Sequence, residues 1–480
     1  MSALAAIDVV LSVIGIGLFV YVRVIRRGGR LDTHGESRWA RPRDIRQLMR
    51  PSGDRINLGW MNRRLVQSPP EDNVLAFGVQ RSGKTSALVV PTLLTWRGAA
   101  VATSTKEELV RLTGRHRSSY GPVYVFAPLD DDTAWLDCLG LRAVTWNPLV
   151  ECVSAGAAAE LADVFTSSGK GSESSHWYLS AANLLTALFL LEHDSGGDLA
   201  AVLSDLNRTP LNGYTVLANQ AGGVAGDILS GFAATPDKEA GSIISTARSS
   251  LSLWLDERVA RATAIAAPGS GLDLDELLGL GGTLYLVAPA EEAERCRPLF
   301  SGLLAGLLRR ATLRARQQGG VLQPRLLLAL DEVANFARVP RLASYVSTGP
   351  GQGIQSLLCF HDLAQLEGGY GPEQARTVWN NCRARLLLPG QGDLKTLDHF
   401  SRAMGSETVE YESASRGRGG VSTSEARTSR PLRSTDALRR SQEAVLVYAN
   451  APPARLKLRR WDQVPAWRAA VQAASARPDP

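Results

Sequence analysis

Residues 78–86 read Gly-Val-Gln-Arg-Ser-Gly-Lys-Thr-Ser, and they follow directly on the apolar run 73–77 (NVLAF). A buried strand that ends in a glycine-rich turn and opens into an apolar helix constrains this chain more than any other feature. Residues 78–85 fit G-x-x-x-x-G-K-[ST], and each position has a chemical reason. Glycines let the backbone amides turn inward around phosphate oxygens. Lys84 sets a point charge against the β- and γ-phosphates, and the Thr85 hydroxyl is a Mg²⁺ ligand. The following segment 86–96 (SALVVPTLLTW) starts as a helix, so the positive end of its dipole faces the anion. Gly78, Arg81, Ser82, Gly83, Lys84, Thr85 and Ser86 are the nucleotide-binding candidates, and ATP with Mg²⁺ is the implied ligand.

Such a loop needs an acidic partner at the end of a neighbouring strand. The segment 325–336 (RLLLALDEVANF) provides one. Its apolar run 326–330 has the composition of a strand buried on both faces. Asp331 and Glu332 emerge at the carboxyl end, where α/β sheets place their ligands. Asp331 is assigned to the water-mediated Mg²⁺ shell and Glu332 to polarising the attacking water. The pair would also suit a helix N-cap with an acidic first turn, but the phosphate loop's need for such a partner favours the functional reading.

Further short apolar runs lie at 99–103, 123–127, 283–288, 356–360, 385–388 and 444–448. Helical stretches separate most of them, which is the pattern of a doubly wound, mainly parallel α/β sheet. Between about 150 and 270 the texture changes to alanine, leucine and serine, with segments such as 176–193 (HWYLSAANLLTALFLLEH) periodic as helices. An inserted all-α subdomain is expected there, with His176 and Trp177 at a helix start packed on the core. The expected division is an anchor and basic segment at 1–30, nucleotide-binding parts at 31–150 and 271–465, the insert at 151–270, and a tail at 466–480. The stretch 413–433 is rich in Ser, Arg and Gly and nearly devoid of apolar residues, so a mobile basic loop is expected there.

Residues 4–24 (LAAIDVVLSVIGIGLFVYVRV) are long enough for one membrane crossing. Arg23, Arg26, Arg27 and Arg30 cluster at the end, which places the rest of the chain in the cytoplasm by the positive-inside rule. The five cysteines form no CxxC pair and the six histidines no HExxH, which argues against a disulfide framework or a metal site built on those ligands. The net charge of +6 does not by itself establish a nucleic-acid partner.

Taken together, these motifs resemble the type IV secretion coupling proteins, the TraG/TraD-like conjugation ATPases. The likeness runs from HGESRWARPRDI (34–45) through GVQRSGKT, STKEELVRLTG (104–114), TWNPL (145–149) and LLLALDEVANF. It continues through STGPGQGIQSLLCFHDLAQLEGGYG (347–371) and NNCRARLLL (380–388) to EAVLVYANAPPARLKLRRW (443–461). The resemblance implies a RecA-like motor on the cytoplasmic face of the inner membrane. It implies a homo-hexamer that recruits single-stranded DNA with its relaxase and drives it into a type IV secretion channel. Three departures stand out: one anchor where the family often has two, Ser104 where an acid is usual, and His361 where a glutamine is common. His361 is the candidate γ-phosphate sensor, and a strand-end histidine without function is the other reading. Arg338, Arg341, Arg383 and Arg385 lie in segments suited to an arginine finger, with none singled out. The competing functions are a duplex-DNA ring translocase and a docking receptor for secreted proteins.

Overall fold

The computed structural model describes residues 35–167, 175–267, 269–336, 338–417 and 420–475. The apolar run 4–24 lies outside them. Among the described residues no helix is long and apolar enough to cross a membrane.

Thirteen strands are described: β1 (Asn57–Met61), β2 (Arg64–Gln67), β3 (Val74–Phe77), β4 (Ala99–Ser104), β5 (Val123–Phe126), β6 (Thr283–Val287), β7 (Leu326–Leu330), β8 (Ile354–Phe360), β9 (Ala384–Leu387), β10 (Ser406–Gly417), β11 (Gly420–Pro431), β12 (Ala444–Tyr448) and β13 (Ala454–Leu456). Nine form the central sheet, in the order β13-β12-β9-β3-β8-β7-β4-β6-β5. Every pairing from β9 to β5 is parallel, and β12 is antiparallel to both β9 and β13. The sheet is α/β and mainly parallel.

Strand periodicity divides the core in two. Leu75, Phe77, Leu326, Leu328, Leu330, Leu358 and Phe360 point to one face, where the long helix Ala293–Gln317 and the helical region pack. Val74, Ala76, Leu327, Ala329, Leu357 and Cys359 point to the other. That second face is covered by the helix after the phosphate loop, by Leu109 and Val110 of the helix Glu108–Arg117, and by Trp467 and Val471. The last two belong to the helix Pro465–Ser475, so the segment expected as a tail contains a docked helix. Arg117 is fully buried and ties strand starts together. Its guanidinium donates to Thr283 Oγ1 at 2.7 Å, to the Gly98 carbonyl at 2.7 Å and to the Trp96 carbonyl. Burial pushes its pKa below the usual arginine value.

Between β5 and β6 lie seven successive α-helices from Ala155–Thr166 to Glu257–Ala262. Side-chain caps mark the starts of three of them: Ser154 accepts from the Ala157 amide, Asp198 from Ala200 and Ala201, and Asp256 from Arg258. Buried Glu151 binds Arg309 and Arg310 at 3.0 Å each, clamping the entry of this region to the long helix Ala293–Gln317. His176 and Trp177, expected on the core, are exposed at the start of the helix Ser175–Ser195. The imidazole stacks edge-on against the indole and lies 3.7 Å from Glu239.

A second correction concerns 413–433. Instead of a loop, the chain forms a ribbon in which β10 and β11 pair antiparallel over twelve residues, from Ser406↔Pro431 to Gly417↔Gly420. A two-stranded ribbon needs no apolar face to satisfy its backbone, so low apolar content did not exclude strands here. Cross-strand ion pairs at its root, Arg427–Glu410 (2.8 Å) and Arg430–Glu407 (2.6 Å), add to the ladder. The root is fastened to the start of the described chain. The Ser37 amide donates to the Ser406 carbonyl at 2.9 Å and the Thr408 hydroxyl to the Gly35 carbonyl at 3.0 Å.

Candidate nucleotide site

The carboxyl ends of β3, β8 and β7 lie side by side, and the sequence-derived candidates sit on those three ends. The phosphate loop leaves β3 at Gly78, whose amide donates to the Phe360 carbonyl at the end of β8 (3.0 Å). A Cβ on Gly78 would stand 2.4 Å from Ser82 Oγ and 3.0 Å from Leu388 Cβ, so only glycine fits the turn. Arg81 (φ 63°) and Gly83 (φ 97°) both take left-handed backbone, which curls the amides of the loop inward. Arg81 is exposed, while Ser82 Oγ is buried without a hydrogen-bond partner among the described residues. Ser86 lies in the first turns of the helix, Lys84–Val89, which is π-wound before continuing as Val90–Thr95.

Lys84 is buried at the start of that helix and donates to the Gly78 carbonyl at 2.5 Å. The Thr85 hydroxyl donates to Asp331 Oδ2. This pairing crosses from the helix after β3 to the end of β7 and brings together two residues 246 apart in sequence. Asp331 is buried, and its other oxygen, Oδ1, has no hydrogen-bond partner among the described residues. Burial pushes the Asp331 carboxyl above the usual range, opposed by the Thr85 hydrogen bond and the charge of Lys84. A buried carboxylate oxygen with an open lone pair beside a threonine hydroxyl is the donor set a hydrated divalent cation needs. The residues therefore fit Mg²⁺.

Glu332 follows with a left-handed backbone (φ 53°). Its Oε1 lies 3.8 Å from His361 Nε2, and both side chains are about a quarter exposed. His361 stands at the end of β8, the strand inserted between the phosphate-loop strand and the acid strand. Burial, then the charge of Lys84, lowers its pKa below the ordinary histidine value, so it is neutral at pH 7.

Several residues at the site were not read from the sequence. The Thr103 hydroxyl at the end of β4 donates to the Asp331 backbone carbonyl at 2.7 Å. Gln365 and Gln391 hold the His361 backbone, with bonds of 2.7 Å each. The one local signal near Gln391 is the run PGQGD, a turn followed by Asp393 as cap of the helix Leu394–Met404. Ser104 turns away from the site to accept from the Lys106 amide (3.2 Å) and to donate to its carbonyl (2.6 Å).

The four arginines divide. Arg383 binds buried Asp72 at 3.2 Å, at the amino end of β9, and Arg385 lies over the Trp379 ring. Arg338 and Arg341 are exposed in the segment after β7, with Arg341 4.0 Å from Glu160.

Residues 41–476 match the family model for type IV secretory system conjugative DNA transfer. The chain belongs to that family. It is 29% identical over 434 residues to the conjugal transfer protein TraG of Escherichia coli, covering 79% of this chain and 65% of the relative. To the protein VirD4 of Agrobacterium fabrum (strain C58 / ATCC 33970) it is 24% identical over 405 residues, covering 80% of this chain and 58% of the relative. The chain thus spans somewhat less than two thirds of the length of these family members. The plasmid coupling protein TrwB in complex with the non-hydrolysable GTP analogue GDPNP has the same fold, with a TM-score of 0.66 at 19% identity over 88% of this chain and 93% of that one. TrwB in complex with ADP and Mg²⁺ superposes with a TM-score of 0.64, again at 19% identity, over 88% and 94% of the two chains.

Proposed function

We propose that this family member is a membrane-anchored P-loop ATPase. In this reading it recruits single-stranded DNA with an attached relaxase and drives it into a type IV secretion channel. The observation that carries the reading is the junction of Lys84 and Thr85 with Asp331 and Glu332 across neighbouring strand ends, in a chain of the conjugative DNA transfer family. Each of these groups has a task in hydrolysis. The amides of 78–85 and the Lys84 ammonium would hold the phosphates, and Lys84 would exchange its bond to the Gly78 carbonyl for one to the nucleotide. Thr85 and Asp331 would hold Mg²⁺, which when bound offsets the charge of the β- and γ-phosphates. Glu332 takes the proton of the attacking water as the bond to the γ-phosphorus forms and the bond to the leaving oxygen breaks. Neutral His361 can hydrogen-bond that water or a γ-oxygen, in place of the family's usual glutamine.

The segment 4–24 would be the anchor, with the sheet and helical region in the cytoplasm at the inner membrane. Assembly as a homo-hexameric ring follows the family resemblance. Arg338, Arg341 and Arg383 are all exposed, and Arg341 and Arg383 are each ion-paired within the chain, so no one of the four is singled out as the finger.

The test is ATP hydrolysis by the purified chain with and without single- and double-stranded DNA, beside Lys84→Ala. Stimulation by single strands that disappears in the variant supports the proposal. Stimulation by duplex alone would favour a duplex translocase, and hydrolysis that persists in Lys84→Ala would remove the assignment of the site.

A further inference from the structure

The end of β8 is held from outside its own strand. The His361 amide donates to Gln365 Oε1 at 2.7 Å, one turn into the helix Leu363–Tyr370. The His361 carbonyl accepts from Gln391 Nε2, also at 2.7 Å. Gln391 is 2% exposed and follows β9, which is separated from β8 by the phosphate-loop strand β3. Adjacent strands lie about 4.8 Å apart, so this bond links the segments that follow two strands roughly 10 Å apart, across the mouth of β3. Beneath the bridge, the Leu388 amide donates to the Phe77 carbonyl at 2.8 Å. A Cβ on Gly390 would sit 3.7 Å from Val79 Cγ2, so the segment after β9 lies along the phosphate loop.

The other end of the carboxamide is also engaged. Gln391 Oε1 accepts from the amides of Gly392 (2.9 Å) and Asp393 (3.0 Å). With donor and acceptor both in use, the amide has one orientation. Asp393 in turn caps the helix Leu394–Met404 at Thr396, whose hydroxyl accepts from the Leu363 amide at 2.9 Å. His361 is thereby held by a closed circuit of side chains from two helices and two strand ends.

We propose that Gln391 is a positioning residue for nucleotide hydrolysis: it fixes the His361 backbone so that the imidazole faces Glu332 and Lys84. The proposal rests on the ATPase reading given above. A purely structural role would affect stability and activity whatever stood at 361, whereas a positioning role acts through His361 alone.

Gln391→Glu isolates the relevant bond. It keeps an oxygen for the Gly392 and Asp393 amides but places a second oxygen against the His361 carbonyl in place of the donor. Displacements of the order of 1 Å at a reacting centre cost up to about 100-fold in rate, so kcat for ATP should fall by about tenfold or more, with KM within about threefold. In a His361→Ala background the same substitution should change kcat less than about twofold, because the two changes are coupled. Gln391→Met, neutral and of similar length, serves if the glutamate variant does not fold; it also frees the Gly392 and Asp393 amides, so only the shrinking of its kcat effect in the His361→Ala background is read from it. The experiment is a double-mutant cycle on the full chain in detergent, with Lys84→Ala as control. Equal losses in both backgrounds, or wild-type kcat in His361→Ala, would overturn the proposal. Hydrolysis surviving in Lys84→Ala would instead overturn the ATPase reading beneath it.

Discussion

Replacing Glu332 by glycine should separate two properties that this residue holds in opposition. Its φ of 53° lies in the left-handed region, which costs a residue with a Cβ about 1–2 kcal/mol relative to the right-handed form. Glycine removes that strain, but its freer unfolded chain takes back about 0.5–1 kcal/mol. The side chain is a quarter exposed and its polar neighbour, neutral His361, is 3.8 Å away, so little packing is lost with it. The balance predicts that Glu332→Gly is more stable than the parent by about 0.5–1 kcal/mol. Loss of the group that accepts the water's proton lowers hydrolysis by about 10²–10⁴-fold. Glu332→Gln is the control: it keeps the strain and loses the base, so its stability should lie within about 0.5 kcal/mol of the parent while hydrolysis falls equally. Chemical denaturation of the nucleotide-free chain and a phosphate-release assay give both numbers. A glycine variant less stable than the glutamine variant by over about 1 kcal/mol would refute the strain argument. Wild-type hydrolysis in Glu332→Gln would refute the catalytic role.

Two further outcomes follow from the buried groups. His361 has its pKa lowered from the ordinary 6.5, so it is neutral at pH 7 and takes up its proton only below 6.5. Any stability it lends is present above that value and lost as pH falls towards its folded pKa. Titration of His361 should therefore leave hydrolysis unchanged between pH 7 and 8 and lower it on acidification. Burial also raises the Asp331 carboxyl, so the contribution of His361 is the difference between the pH profiles of the parent and His361→Gln. A pair of identical profiles would argue against titration of this imidazole. Arg117→Met orphans the buried carbonyls of Trp96 and Gly98 and the Thr283 hydroxyl, each worth about 1–3 kcal/mol, while relieving the burial of an unpaired cation. A net loss of about 2–4 kcal/mol in denaturant unfolding is expected, and a change under about 0.5 kcal/mol would contradict the stapling role.

How much of this was written in the sequence varied with the physics of each part. Strands buried on both faces show themselves as apolar runs, so β3, β4, β7 and β12 were readable from composition, as was the Asp-Glu pair ending β7. The hairpin β1–β2 was not read, because its turn places Asn62 (φ 47°) and Arg63 (φ 64°) in left-handed backbone without the Asn-Gly signal such turns favour. The sequence of the ribbon β10–β11 has no hydrophobic alternation, so it reads as a loop. At the site, the phosphate loop and the Asp-Glu pair are each a short local pattern tied to chemistry. The Gln391–His361 bond joins residues 30 apart through a backbone atom, so neither side chain carries a mark of it.

The fastening of Gly35 and Ser37 to the root of the ribbon makes the chain between Gly35 and Thr408 a closed loop, with a clasp of one backbone and one side-chain hydrogen bond. Where a shortened version of this protein begins then matters more than its charge or length. A start at or before Gly35 keeps the clasp. A start past Ser37 leaves the Ser406 carbonyl and the Thr408 hydroxyl without these partners and frees the ribbon at its base.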